Sequence, residues 1–117
     1  MSGIETRGMQ VLEHFLDLTA QRESLIASNI SNIDTPGFHT HDLSFKQEIL
    51  KAIHSPETPL KPAVQEVKGL LERPDGNNVS LDREGLLLAQ TQLQFRMGTE
   101  LIKDEFHRMQ MAIEEGK

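Results

Sequence analysis

Histidines and carboxylates are the side chains of this 117-residue sequence best suited to hold a metal or move a proton near neutral pH, since it contains no cysteine. The most suggestive grouping is His39-Thr40-His41-Asp42. On an extended segment alternate residues point to one side, so both imidazoles would face the same way with a carboxylate beside them. Hydrolases built on such a pair place it on a barrel strand and draw further ligands from distant strands. A short helical chain offers none, so 39–42 reads as a polar loop and no metal is expected. His14, His54 and His107 stand alone, and His107 falls late in a helix, where a cation complements the dipole. Asp104-Glu105 and Glu114-Glu115 fall on the polar side of that helix. No Ser or Thr occupies a strand-turn-helix elbow, and there is no glycine-rich phosphate loop. The expectation is a protein with no catalytic site and no cofactor.

Composition narrows the class further. With 37% hydrophobic and 26% charged residues and a net charge of -6, the sequence fits one small unit. Phosphate neutralisation needs clustered Lys and Arg, whereas the charge here is acidic and diffuse, so nucleic acid is not an expected partner. No apolar run approaches the roughly 20 residues of a membrane span, and no direct lipid insertion is expected. The start, Met-Ser-Gly-Ile-Glu-Thr-Arg, lacks the basic residues and apolar block of a cleavable secretory signal. Passage out of the cytoplasm would need another route.

Two long amphipathic segments dominate the pattern. Val11, Leu12, Phe15, Leu16, Leu18, Leu25, Ile26 and Ile30 recur in steps of three and four, which predicts a helix over 8–33. Thr35-Pro36-Gly37-Phe38 ends it as a type II turn, with Pro36 and Gly37 as the central pair. A second helix is predicted over 82–115, capped by Asp82 and favoured by Glu84 in its first turn. Its apolar seam reads Leu88, Phe95, Ile102, Phe106, Met109 and Ile113, widened by Leu86, Ala89, Leu93, Met97 and Leu101. Gly85 and Gly98 each weaken such a helix by about 1 kcal/mol relative to Ala.

Between them, 34–81 holds Pro56, Pro59, Pro62 and Pro74 and reads as a turn, a short helix and an irregular stretch. The helix spans Phe45 to His54, with Ser44 as cap and Gln47 reaching back. Val64 to Leu71 reads as a weak strand or irregular segment, and Val79-Ser80-Leu81 as a short strand. The fold expected is mainly α, an elongated, coiled-coil-like antiparallel pair of terminal helices with an irregular Pro-rich middle. A two-helix hairpin has little interior, so part of the core is expected to come from other chains.

One segment is unusual for a helix end: Ala27-Ser28-Asn29-Ile30-Ser31-Asn32-Ile33-Asp34-Thr35-Pro36-Gly37-Phe38. Small residues permit close backbone approach, and two amides three apart can pair across a helix contact and fix its register. In this reading Asn29 faces a helix of a neighbouring subunit. The segment resembles the motif of flagellar rod and hook proteins, Ala-x-Asn-Ile/Leu-Ala/Ser-Asn-x-x-Thr-Pro-Gly-Phe/Tyr. Asp75-Gly76-Asn77-Asn78-Val79-Ser80-Leu81-Asp82-Arg83-Glu84, with Leu88-Ala89 and Leu93-Gln94-Phe95 after it, is similar to the proximal members of the flagellar basal-body rod family. Gly85 and Phe95 depart from the Met and Tyr common there.

The resemblance implies a structural subunit of the proximal rod that polymerises through its terminal helices and transmits torque from the membrane ring to the distal rod and hook. Ala27, Asn29, Ile30, Asn32, Thr35, Pro36, Gly37 and Phe38 would form an assembly motif, and the C-terminal seam an assembly surface. Implied partners are copies of itself, other rod proteins, the rod-to-membrane-ring junction and the flagellar type III export apparatus. The last would deliver the unfolded chain to the periplasmic rod without signal cleavage. Family members are thought to dock on the export gate through a Phe-x-x-x-hydrophobic motif, and Phe45 and Ile49 have that spacing. The alternative is a cytoplasmic helical adaptor or chaperone that binds a partner's amphipathic helix.

Overall fold

A computed structural model describes residues 5–116; Met1 to Ile4, the first part of the segment read above for a secretory signal, and Lys117 lie outside the described residues. In chain order the elements are α1 (Arg7–Ser31), β1 (His41–Leu43), α2 (Phe45–His54), β2 (Val64–Glu66) and α3 (Leu81–Glu115). The architecture is mainly α and elongated, 68 × 24 × 19 Å, with a radius of gyration of 18.0 Å. A compact chain of this length would have a radius of about 13 Å.

The two long helices run antiparallel. Thr6, the N-cap of α1, accepts a hydrogen bond from the Met9 amide and donates to Glu105 near the far end of α3. At the other end of α1, Asn29 donates to Glu84 in the first turn of α3. The face of α3 against α1 is centred on Glu84, Thr91 and Gly98, each seven residues from the next and each buried. This axis is rotated from the apolar seam. Leu88, Ile102 and Met109 stay half-buried at its edge, whereas Phe95, Phe106 and Ile113 are exposed. Small and polar residues at the centre let the helices approach closely. A methyl group on Gly98 would lie 2.8 Å from both Phe15 and Leu16 of α1, so this glycine marks a point of close packing between the helices.

Several local expectations are corrected. Ser80, not Asp82, caps α3, its hydroxyl accepting from the Arg83 amide, so Val79 and Ser80 lead into the helix and Leu81 opens it in place of a strand. Ser44 precedes α2 without a side-chain cap bond. Instead the other end of α2 is held, because the Arg7 guanidinium donates to the carbonyls of Ile53 (2.6 Å) and His54 (3.2 Å), where a cation suits the helix dipole. The middle also contains a two-stranded antiparallel ribbon pairing His41 with Glu66 and Leu43 with Val64. Its first strand lies in what read as a polar loop.

Among the described residues the buried hydrophobic side chains are Met9, Leu18, Ile26, Leu43 and Ala52, and they are outnumbered by buried polar ones: Thr19, Asn29, Thr40, Glu48, Asn77, Asn78, Glu84 and Thr91. Phe15 of α1 meets Phe45 of α2 edge-on, 5.3 Å between centroids, which seats α2 on α1.

The two glycines of α3 separate cleanly. Gly85 has open space where a Cβ would stand, so Gly85→Ala should raise the melting temperature through a gain of about 0.5–1 kcal/mol in helix propensity. Gly98→Ala gains the same propensity but must displace Phe15, itself held by Phe45, and should lower it by a net of about 1–2 kcal/mol. Thermal unfolding of the two variants side by side checks this; equal shifts of the same sign would refute the close contact.

Candidate functional site

The two segments that carried the resemblance, 27–38 and 75–84, converge at one end of the helix pair. Asn32 closes α1: its amide nitrogen donates to the Ser28 carbonyl (2.8 Å), and its side-chain oxygen accepts from the Thr35 hydroxyl (3.0 Å). The Phe38 amide then donates to the Thr35 carbonyl (3.2 Å), and Gly37 takes φ 76°, the backbone of a type II turn. A second turn, Arg73 to Gly76, lies directly against it. The Gly37 amide donates to the Asp75 carbonyl (2.8 Å), and a Cβ on Gly76, whose φ is 88°, would sit 3.4 Å from the Gly37 Cα.

Asn77 joins the two turns. Wholly buried, its side-chain amide donates to the carbonyls of Asn32 and Thr35, both at 2.9 Å, while its oxygen accepts from the Val79 amide. Asn78 accepts from the Thr40 amide (2.7 Å) and donates its own backbone amide to the Phe38 carbonyl (3.2 Å). Arg73 reaches the Ile33 carbonyl. The two segments that carried the resemblance are thus two halves of one intramolecular clasp.

Deeper in, a charged network ties α1, β1 and α3 together. The Asn29 amide donates to Glu84 Oε1 and to the His41 carbonyl, both at 2.9 Å, and its oxygen accepts from the His41 amide (3.1 Å). It therefore satisfies both backbone groups of His41, as an adjoining strand would. Arg83 donates to Glu84 Oε2 and to Asp42 Oδ2, both at 2.7 Å, and Arg22 grips both Asp42 oxygens at 2.9–3.1 Å. Burial works to raise the Asp42 carboxyl. Hydrogen bonds from Arg22, the Leu43 amide and Arg83 outweigh it and leave the group below the ordinary value of 3.8.

This geometry corrects the reading of Asn29 as a register contact between subunits. The residue lies on the face of α1 that also buries Leu18 and Ile26, and its partners are in its own chain. Of the remaining motif residues, Ala27, Thr35, Pro36 and Gly37 are exposed, while Ile30, Asn32 and Phe38 are half-buried. Phe45 and Ile49 are half-buried, with Phe45 packed on Phe15. The imidazole of His39 lies between Glu66 (3.3 Å) and Glu72 (3.2 Å), apart from Asp42, which is committed to two arginines. No cluster of three or more metal-ligating side chains occurs among the described residues, and no helix among them is long and apolar enough to cross a membrane.

Sequence reasoning missed the roles of Arg22, Asp42, Asn77, Asn78 and Glu84. A signal existed for Glu84, which precedes Leu88 and Thr91 at helical spacing on the face α3 turns inward.

Outside the clasp, α3 also exposes apolar side chains. Leu86 (71% exposed), Leu93 (61%) and Met97 (53%) line the side of α3 away from α1, and Phe106 and Ile113 project where α3 outruns α1. The class this defines is an elongated antiparallel helical pair, clasped at one end, with apolar faces turned outward. No protein-family model matches the chain. Over 122 residues it is 30% identical to the flagellar basal body rod protein FlgB of Escherichia coli K12, covering 86% of this chain and 88% of that protein. FlgB of Salmonella typhimurium LT2 matches at the same identity and coverage. FlgB of Proteus mirabilis HI4320 is 27% identical over 86% of this chain and 89% of its own. The chain belongs to the FlgB family of flagellar basal body rod proteins.

Two predictions follow the clasp inward. Asn29→Leu would strip Glu84 and both His41 backbone groups of a partner, at about 1–3 kcal/mol for each group left unpaired. Urea unfolding of the dilute monomer should show the loss, and more of it for Asn29→Asp, which sets a second carboxylate against Glu84; wild-type stability in both would refute the clasp. For Asp42, a lowered value means its stabilisation is complete above pH 3.8 and is lost as the pH falls below that toward the folded-state value. Asp42→Asn should therefore be less stable than wild type at pH 7, with the gap narrowing in acid. A gap that is constant from pH 7 to 3 would show that the carboxylate charge contributes nothing.

Proposed function

We propose that this chain is a structural subunit of the proximal rod, polymerising through its terminal helices. The observation that carries this reading is the apolar surface of α3 left uncovered within the chain: Leu86, Leu93, Met97, Phe106 and Ile113. Exposed on one subunit, these faces gain a core when they meet helices of neighbouring copies or of other rod proteins. The buried clasp fixes the angle between α1 and α3 so that each subunit presents the same surface. A tube of such helices transmits torque from the membrane-ring junction toward the distal rod and hook. Its place is the periplasmic part of the basal body, reached through the flagellar type III apparatus as an unfolded chain without signal cleavage.

Phe45 and Ile49 fit this route in one state only. Packed on Phe15 the aromatic ring is half-buried, so its whole face is open to the gate only in the unfolded chain.

Phe106→Asp tests assembly. The residue is exposed in the monomer, so the variant should fold and be exported in normal amounts but leave cells without rods, because the new carboxylate would be buried unpaired at every contact. Motile cells with normal flagella would refute the role of the α3 surface. Phe45→Ala should reduce secreted subunit several-fold by immunoblot; undiminished secretion with a lowered melting temperature would make Phe45 a packing residue only.

A further inference from the structure

An open groove of about 940 Å³ runs along α2 and takes no part in the clasp. Leu50, Ala52 and Ile53 of α2 line it together with Pro59 and Leu60 of the segment that follows. It is preformed. The Pro56 carbonyl is held by His14 (2.7 Å), the Thr58 amide donates to the Ser55 carbonyl (3.1 Å), and the Ala63 amide donates to buried Glu48 (3.3 Å), so this segment is fixed at both ends. Lys51 and Lys61 stand on the rim; Lys51 is paired with Glu48, and Lys61 has no ion-pair partner among the described residues.

We infer that this groove receives the end of α3, residues 106–115, from a second copy of the chain. Three observations select that occupant. Phe106, Met109 and Ile113 follow one another at three and four residues, the anchor spacing of a helix laid in a groove, and Phe106 and Ile113 are 59% and 64% exposed. Ten helical residues measure about 15 Å. That is also the length of α2, which lines the groove. The charge is complementary, since the last turn of α3 carries Glu114 and Glu115 and no basic residue, adding to the negative end of the helix dipole opposite Lys61, the rim lysine that no carboxylate of the described residues pairs. The chain's own α3 contributes nothing to the groove lining, and an unbroken helix cannot turn back to reach it. A groove on one copy that takes the helix end of another is a head-to-tail contact, which propagates into an open polymer rather than closing as a dimer. The inference rests on the assembly reading above and names the socket within it.

Because the sequence has no cysteine, introduced ones report contacts without background. Ile53→Cys and Ile113→Cys copies of the full chain, co-expressed in flagellated cells and oxidised, should give a disulfide-linked dimer at least tenfold more abundant than either variant gives alone. Adding Lys61→Glu to the Ile53→Cys copy should reduce that dimer several-fold, and Glu115→Lys on the Ile113→Cys copy should restore it. Both cysteines replace exposed side chains, and melting temperatures within two degrees or so of the parent would verify the fold. If rods assemble but Ile113→Cys links to a Leu93→Cys copy and not to Ile53→Cys, the socket is wrong while assembly through α3 stands. If Ile113→Cys links to neither, the socket and the α3 reading both fail.

Discussion

A carboxylate with no access to water cannot be left unpaired, and the fold is arranged around one. Glu84 is wholly buried at the start of α3, where its two oxygens are taken by Asn29 of α1 and by Arg83, which also holds Asp42 of β1. Desolvation of such a group is repaid only when every oxygen is bonded in good geometry. That requirement fixes three elements at once. It sets the axial position of α1 on α3, seats β1 against the end of α1 through both backbone groups of His41, and brings the two turns near enough for Asn77 to bridge them. Apolar contacts slide at small cost. Hydrogen bonds to a buried charge do not.

The same arrangement leaves apolar surface outside. With Glu84, Thr91 and Gly98 at the centre of the helix contact, the large side chains of α3 are turned to its flanks, its far side and its projecting end. A chain optimised to stand alone would place Phe95, Phe106 or Leu93 on that inner face and Gly98 elsewhere. Here close approach and polar specificity define the inside of the chain, and much hydrophobic area is left on its outside. In the assembly proposed above, this division sets the shape of each subunit before it meets its neighbours.

Much of the fold was legible from periodicity and punctuation. The steps of three and four in both terminal segments gave helices, Thr35-Pro36-Gly37 gave the turn, and Phe45 to His54 gave α2. Tertiary partners were not legible. Asp82 and Ser80 are both good caps, and only the bond from Arg83 to the Ser80 hydroxyl decides between them. The apolar seam suggested which way α3 faces, but Glu84 overrides it by needing Asn29, rotating the contact onto smaller residues. Asn29 itself was noticed for its unusual place in an apolar helix, and its position among buried residues decided that it serves its own chain. The strand His41–Leu43 was hidden because its pairing with Val64–Glu66 crosses the Pro-rich stretch, a long-range contact that local pattern does not carry.

The central claim is that the polar clasp, rather than the apolar faces, holds the subunit in shape. Native-state amide exchange on dilute monomer tests it most directly, because protection reports local opening residue by residue. The account predicts the slowest exchange at the amides bonded within the clasp, those of Gly37, Thr40, His41 and Asn78, and fast exchange over the projecting end of α3 from Phe106 onward. Uniform protection along α3 to its end in a proven monomer, with the clasp amides exchanging first, would contradict it.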